Sequence, residues 1–371
     1  MKKTQQILTL VLSLGFIAVF AAWFWILPDA DESTVERRHL AKCPALSLSS
    51  VANGSFMNDF ENYMLDQFPL RDGFRTLKAA ANAKVFMQKD NNGLYSVGEH
   101  LSKLDFPTDF DSVDRAAQRF RYVYDAYLRN SGTKTYLSVI PDKNVFIASP
   151  NGYPDKDYKA IVKRLENGFP EARHIDISGL LSADDFYYTD SHWRQERILK
   201  VADEIADKMG TERMGKCEKH DAGVSFYGVY YGQAALPHAP DSLFYLDNAV
   251  IRGLKVYNVE ISSDIPVYDL GAAAGRDPYE MFLGGARSII RITNPNAAQE
   301  RRLIIFRDSF GSSIAPLLAA GYSEITLVDI RYISPLSLGK LIDFTKADDA
   351  LFLYSASVIN NSETIKGTSK N

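Results

Sequence analysis

Two short stretches carry side chains that could do covalent chemistry. In Tyr187-Tyr188-Thr189-Asp190-Ser191-His192-Trp193 a carboxylate stands two residues before an imidazole. In Leu303-Ile304-Ile305-Phe306-Arg307-Asp308-Ser309-Phe310-Gly311 a serine follows an apolar run, where a glycine lets the backbone turn closely. Ser309 is then a candidate nucleophile, His192 the base that takes its proton, and Asp190 the carboxylate that holds the ring's tautomer. Such a set performs acyl transfer or ester hydrolysis. Each residue also has a plainer reading: Ser309 and Asp190 as helix caps, His192 as a ring packed beside Trp193.

The elements that would position these groups can be read from apolar spacing. A strand at 303–306 and a helix at 313–320 put Ser309 at a strand-to-helix junction, where free backbone N–H groups can hold an oxyanion. The 190–193 turn precedes an amphipathic helix at 195–209. Elsewhere, helices are expected at 56–68, from Arg71 onward, and at 110–128, 158–167 and 335–345. Strands are expected at 94–97, 135–140, 172–177, 325–328 and 350–354. Strand and helix alternating with short connections predict an α/β fold with a parallel sheet flanked by helices. Residues 221–285, rich in Gly, Tyr and Pro, read as an insertion or a set of short strands.

The N-terminus adds a membrane element. Lys2 and Lys3 precede an apolar run at 7–27 that ends in Trp23-Phe24-Trp25 and is stopped by Pro28 and acidic residues. About 20 apolar residues suffice for a transmembrane helix, and the aromatic end suits a water interface. Charge asymmetry predicts a single-pass signal anchor in the cell membrane, with the body of the protein extracytoplasmic; a cleaved signal peptide is the alternative. The net charge of -4 offers no basic footprint for nucleic acid. Cys43 and Cys217 show no metal-ligand spacing, so no metal or diffusible cofactor is expected, and a disulfide between them stays open.

Further groups could contact substrate or complete an oxyanion hole. Lys143 follows the 135–140 strand, although a solvated lysine reads as simply. Asn294 with Asn296, or Gly284-Gly285 after Asp277-Pro278-Tyr279-Glu280, could donate to an oxyanion, although turn formation explains both. Arg331 could bind a substrate group or pair with Asp329.

At these residues the chain resembles the DHHW family of SGNH-hydrolase-like proteins, relatives of the alginate O-acetylation proteins of the AlgJ and AlgX type. The matching pieces are Glu36-Arg37-Arg38-His39-Leu40, Asp66-Gln67-Phe68-Pro69-Leu70-Arg71, Pro141-Asp142-Lys143, Asp190-Ser191-His192-Trp193, Asp277 to Gly285, Arg307-Asp308-Ser309-Phe310-Gly311 and Asp329-Ile330-Arg331-Tyr332. The order of D-x-H before the serine also matches. Ser191 stands where the family has its first histidine, and Arg307 replaces the glycine of G-D-S, where its side chain could narrow the pocket or bind an anion. The resemblance implies an SGNH-like (flavodoxin-like) domain, placed at 51–360; composition and charge set a stem at 28–50, a cytoplasmic 1–6 and a polar tail at 361–371 around it. The resemblance further implies O-acetylation of a cell-surface or secreted polysaccharide, with Asp190, His192 and Ser309 catalytic; the residues themselves add Arg307, Asn294, Gly311, Tyr279, Lys143 and Arg331 as candidates around the substrate. The expected partners are the polysaccharide acceptor and a polytopic membrane acyltransferase that delivers the acetyl group. A carbohydrate esterase and a non-catalytic scaffold remain as alternatives.

Overall fold

The computed structural model describes residues 2–367, so Met1 and the last four residues of the expected tail lie outside the described residues. The chain forms two compact units, Met1–Asn92 with Tyr231–His238, and Gly93–Tyr230 with Ala239–Asn371.

The first unit begins with a helix, Lys2–Ile26, in which Lys3–Ile26 is long and apolar enough to cross a membrane. Helices Ser55–Asp66 and Arg71–Lys84 follow. Tyr63 and Ala79 are their buried apolar positions, and ion pairs tie them to the Glu36–Arg38 segment. Arg38 donates to Asp66 Oδ2 at 2.7 Å, while Arg71 and Arg75 reach Glu36 at 2.6 and 2.9 Å. Arg75 also donates to the Gly232 carbonyl at 2.6 Å.

The second unit is built on an eight-stranded sheet: β1 (Lys134–Ile140), β2 (Arg173–His174), β3 (Lys255–Asn258), β4 (Ser263–Ile265), β5 (Ile289–Thr293), β6 (Arg302–Arg307), β7 (Glu324–Val328) and β8 (Asp349–Ser355). Their spatial order is β4-β3-β5-β7-β6-β8-β1-β2. The five strands from β7 to β2 run parallel. β5 runs antiparallel to both its neighbours, and β4 antiparallel to β3. β6 and β8 are apolar almost throughout because both faces of the sheet are covered. Leu303, Ile305, Leu351 and Leu353 point to one face, under helix Leu199–Met209. Ile304, Phe306, Ala350 and Phe352 point to the other, under helices Phe110–Val123 and Tyr158–Gly168.

Local signals explain most element ends. Asp109 caps Phe110–Val123 by accepting from Ser112 N at 2.9 Å. Val113, Ala116, Ala117, Phe120 and Val123 then form the buried stripe. The expected 110–128 helix changes to a single π turn at Tyr124–Leu128. The expected 313–320 helix is a short α turn, Gly311–Ile314, followed by a 3₁₀ segment, Ala315–Gly321, at whose start Pro316 has no N–H to donate. The 335–345 helix is two 3₁₀ turns, Pro335–Lys340 and Phe344–Lys346. The 221–285 stretch contains most of a hairpin, Glu218–Phe226 with Asp241–Asp247, and also supplies β3 and β4 to the main sheet.

Candidate active site

Ser309 follows the C-terminal end of β6. The neighbouring Asp308 is fully buried; its Oδ1 accepts from Phe310 N at 3.1 Å and its Oδ2 from Ser355 N at 2.7 Å, joining the ends of β6 and β8. Asp308 thus sets the turn and leaves Ser309 partly exposed. Among the described residues no group accepts a hydrogen bond from Ser309 N–H.

The second half comes from a tight loop. Phe186 and Trp193 form an isolated antiparallel bridge, and Tyr187 N donates to His192 O at 3.1 Å. Inside it, His192 Nδ1 lies 2.6 Å from Asp190 Oδ1, and His192 Nε2 lies 2.7 Å from Ser309 Oγ. Asp190 is fully buried, yet its carboxylate is satisfied. His192 N donates to Oδ1 at 3.0 Å and Val229 N to Oδ2 at 2.8 Å. The structure therefore brings hydroxyl, imidazole and carboxylate into one hydrogen-bonded chain. The spacing suits proton transfer from Ser309 to His192, with Nδ1–H held by Asp190.

The ring is also clamped from the side. Tyr279 stacks on His192 with centroids 3.9 Å apart and planes 13° apart. Its hydroxyl points away from the ring and donates to Ser313 Oγ at 2.8 Å. Trp193 Nε1 donates to the same oxygen at 2.8 Å, so Ser313 ties the His192 loop to the turn after Ser309. Gln195 adds a third link, donating to Ser313 O at 2.7 Å and accepting from Leu246 N at 2.8 Å.

The loop backbone is held by two buried charges of opposite sign. Lys143 Nζ donates to the carbonyls of Tyr187, Tyr188 and Asp190 at 2.8, 3.0 and 3.0 Å. The Asp241 carboxylate accepts from Tyr188 N, Thr189 N and Thr189 Oγ1 at 2.7, 2.8 and 2.6 Å. Burial drives the Lys143 pKa down to about 7, opposed by the nearby Asp241 and Asp190 carboxylates. On the remaining side Gly228 presses on the loop; a Cβ there would lie 2.2 Å from Thr189 O and 2.4 Å from Asp190 Cβ. Asp241, Gly228, Val229 and Ser313 carry no recognisable motif and were invisible in the sequence.

The other expected site residues are redistributed. Lys143 is neither solvated nor placed to meet substrate, because all three of its donors are spent on the loop. Arg307 is fully buried and does not narrow a pocket. Its guanidinium lies 3.7 Å from Asp329 and points toward the carbonyls of Gly285 and Arg287. Burial pushes its pKa down, and Asp329 opposes the shift. Arg331 forms a bidentate pair with Asp329 at 2.9 and 2.7 Å, the structural alternative. Gly311 is not an oxyanion donor, since its N–H goes to Asp308 O at 3.1 Å. It instead makes room for Arg307, whose Cβ would sit 2.6 Å from a Cβ at 311. Asn294 follows β5, which is antiparallel to β7, so it lies at the edge of the sheet opposite Ser309 and donates to Ala319 O. Tyr279 supports the imidazole through its ring. Cys43 and Cys217 are free thiols.

No protein-family model and no curated protein matches this chain. Several solved structures do. A DHHW family protein from Eubacterium siraeum aligns at 19% identity over 74% of this chain and 95% of its own, with a TM-score of 0.59. Bacillus cereus PatB1 aligns at 15% identity over 74% of this chain and 98% of its own, TM-score 0.59; its structure with a sulfonyl adduct gives 0.57 over 72% and 97%. The O-acetyltransferase domain of Pseudomonas putida AlgJ is more distant, with 12% identity over 72% and 92% and a TM-score of 0.46. At such identities the likeness is one of architecture: the chain shares the α/β fold of the DHHW family protein and of PatB1.

Proposed function

We propose that the protein is an extracytoplasmic O-acetyltransferase of a cell-surface or secreted polysaccharide, held to the membrane by its N-terminal helix. The observation that carries this reading is the 2.7 Å approach of His192 Nε2 to Ser309 Oγ, with Nδ1 held by a buried carboxylate. Ser309 Oγ attacks the acetyl carbonyl while His192 takes its proton. The imidazolium, stabilised by Asp190, returns that proton to the departing group, leaving acetyl-Ser309. A sugar hydroxyl, deprotonated by His192, attacks the ester, and the proton passes back to Ser309 as the acetyl group leaves. The Ser309 backbone N–H, at the base of the turn, is the natural first donor to the oxyanion.

Because the Arg307 guanidinium is turned into the protein, the steric reason for reading a silent scaffold falls away. Water in place of the sugar would make the same residues an esterase. Bacillus cereus PatB1 has been solved with a sulfonyl adduct, which suggests a direct probe here. The wild type should be modified at Ser309 by phenylmethylsulfonyl fluoride and, with p-nitrophenyl acetate, carry an acetyl group there by mass spectrometry. Ser309→Ala should do neither while melting at the wild-type temperature. Full transfer to an added polysaccharide by Ser309→Ala would refute the assignment. Release of free acetate without transfer would favour the esterase.

A further inference from the structure

The first unit turns the usual amphipathic pattern inside out. In helix Arg71–Lys84 the inward side carries Arg71 and Arg75, both on Glu36, and Asn82, which donates to Asn91 Oδ1 at 2.9 Å. The outward side carries an apolar row from Leu70 through Phe74 and Leu77 to Val85, at helical spacing; Leu77 is 64% exposed. Helix Ser55–Asp66 also leaves Met57 and Leu65 exposed, with the exposed Glu61 between them, while its Asp66 is paired inward. A helix that keeps its arginines on the protein and offers an apolar row outward, flanked by charges such as Lys78 and Lys84 that can reach water, is matched to an apolar exterior bounded by water.

The apolar helix Lys3–Ile26 identifies that exterior. Phe20 stacks on Phe68, with centroids 5.5 Å apart, and meets the edge of Phe74 at 5.6 Å; Phe24 meets Tyr63 at 5.4 Å. Phe20 lies six residues before the last residue of that helix, Ile26, or about 9 Å along the axis at about 1.5 Å per residue. A 24-residue span is about 36 Å long, against a hydrocarbon core of about 30 Å. With the span centred, Phe20 lies about 6 Å inside the acyl-chain edge, so groups packed on it are not in bulk water.

We infer that helices Ser55–Asp66 and Arg71–Lys84 lie in the bilayer surface, with the row Leu70, Phe74, Leu77 and Val85, together with Met57 and Leu65, immersed among lipid. This rests on reading Lys3–Ile26 as a membrane span. The anchor is then a three-helix foot, which fixes the first unit's height and tilt at the membrane, where a single helix would leave it free to swing.

The test uses the full chain with Cys43→Ser and Cys217→Ser, reconstituted in phosphatidylethanolamine/phosphatidylglycerol vesicles. A nitrobenzoxadiazole label goes on one new cysteine at a time: Leu77→Cys, Leu65→Cys, Ile17→Cys in the apolar helix, or Asp59→Cys. Asp59 lies on the side of its helix away from Met57, about 200° round the axis. Lipids brominated in their acyl chains should quench Leu77→Cys and Leu65→Cys about as strongly as Ile17→Cys, and leave Asp59→Cys unquenched. Quenching at Ile17→Cys alone would overturn the inference, leaving the face to water or to a protein partner. Equal quenching at Asp59→Cys would overturn the assignment of the face. Absence of quenching at Ile17→Cys would remove the membrane reading itself, and the inference with it.

Discussion

The loop around His192 and the helix Arg71–Lys84 both bury charge, in opposite settings. In the loop, Lys143 and Asp241 sit inside an apolar unit and are spent on backbone carbonyls and amides. The charge costs desolvation, and what it secures is the placement of Asp190 and His192. In the helix, Arg71 and Arg75 pair with Glu36 while the apolar side faces out. There the buried charge secures a surface rather than a site. A buried ion is therefore a weak guide to function until its hydrogen-bond partners are known.

The largest effect that would break this comparison lies at the end of the hydrogen-bonded chain. Asp190→Asn keeps size and burial but loses the charge that holds the imidazolium. Transfer should fall by about 10⁴, the scale seen when the acid of a Ser-His-Asp set becomes an amide. Single-turnover acetylation of Ser309 would measure it, and a loss of tenfold or less would mean that Asp190 is structural.

Next comes Lys143→Met, which leaves three loop carbonyls without their donor. Unfolding free energy should drop by about 3 kcal/mol, with a larger loss of transfer than global stability alone explains. The pH dependence sharpens it. The folded pKa of Lys143 is about 7, against an ordinary 10.5. Between those values the unfolded chain holds a proton that the folded chain has released. On this group's account stability rises with pH across that window. Urea melts at both ends should show the increment in the wild type and not in Lys143→Met.

A paired test probes the helix. Arg75→Leu removes a partly buried partner of Glu36 and of Gly232 O and should cost about 2 kcal/mol in detergent. Leu77→Ala, two residues on but facing outward, should stay within about 0.5 kcal/mol. Equal costs would mean that the outward side is packed. The smallest effect is expected at Tyr279→Phe, which keeps the stack on His192 and loses one hydrogen bond to Ser313, about 1 kcal/mol by thermal melt.

The three groups of the hydrogen-bonded chain were legible because few side chains suit the roles of nucleophile, base and orienting acid proposed for them, and D-x-H with D-S supplied those types. The parallel core was legible for a similar reason, since strands covered on both faces must be apolar throughout. The clamp was not. Lys143 and Asp241 meet the loop through its backbone, and backbone hydrogen bonds leave no mark on residue type. Asn294 misled because a strand delivers its last residue to the reacting edge only when it runs with the parallel set, and β5 runs against it. Arg307 misled because an arginine beside a nucleophile suggests anion binding, whereas here a missing methyl group at Gly311 opens a slot for it inside the protein.

That slot couples the two positions. A chain with a side chain at 311 and arginine at 307 would place carbons 2.6 Å apart, closer than non-bonded atoms tolerate. While this turn keeps its shape, a side chain at 307 requires glycine at 311, so a substitution at either position is felt at the other.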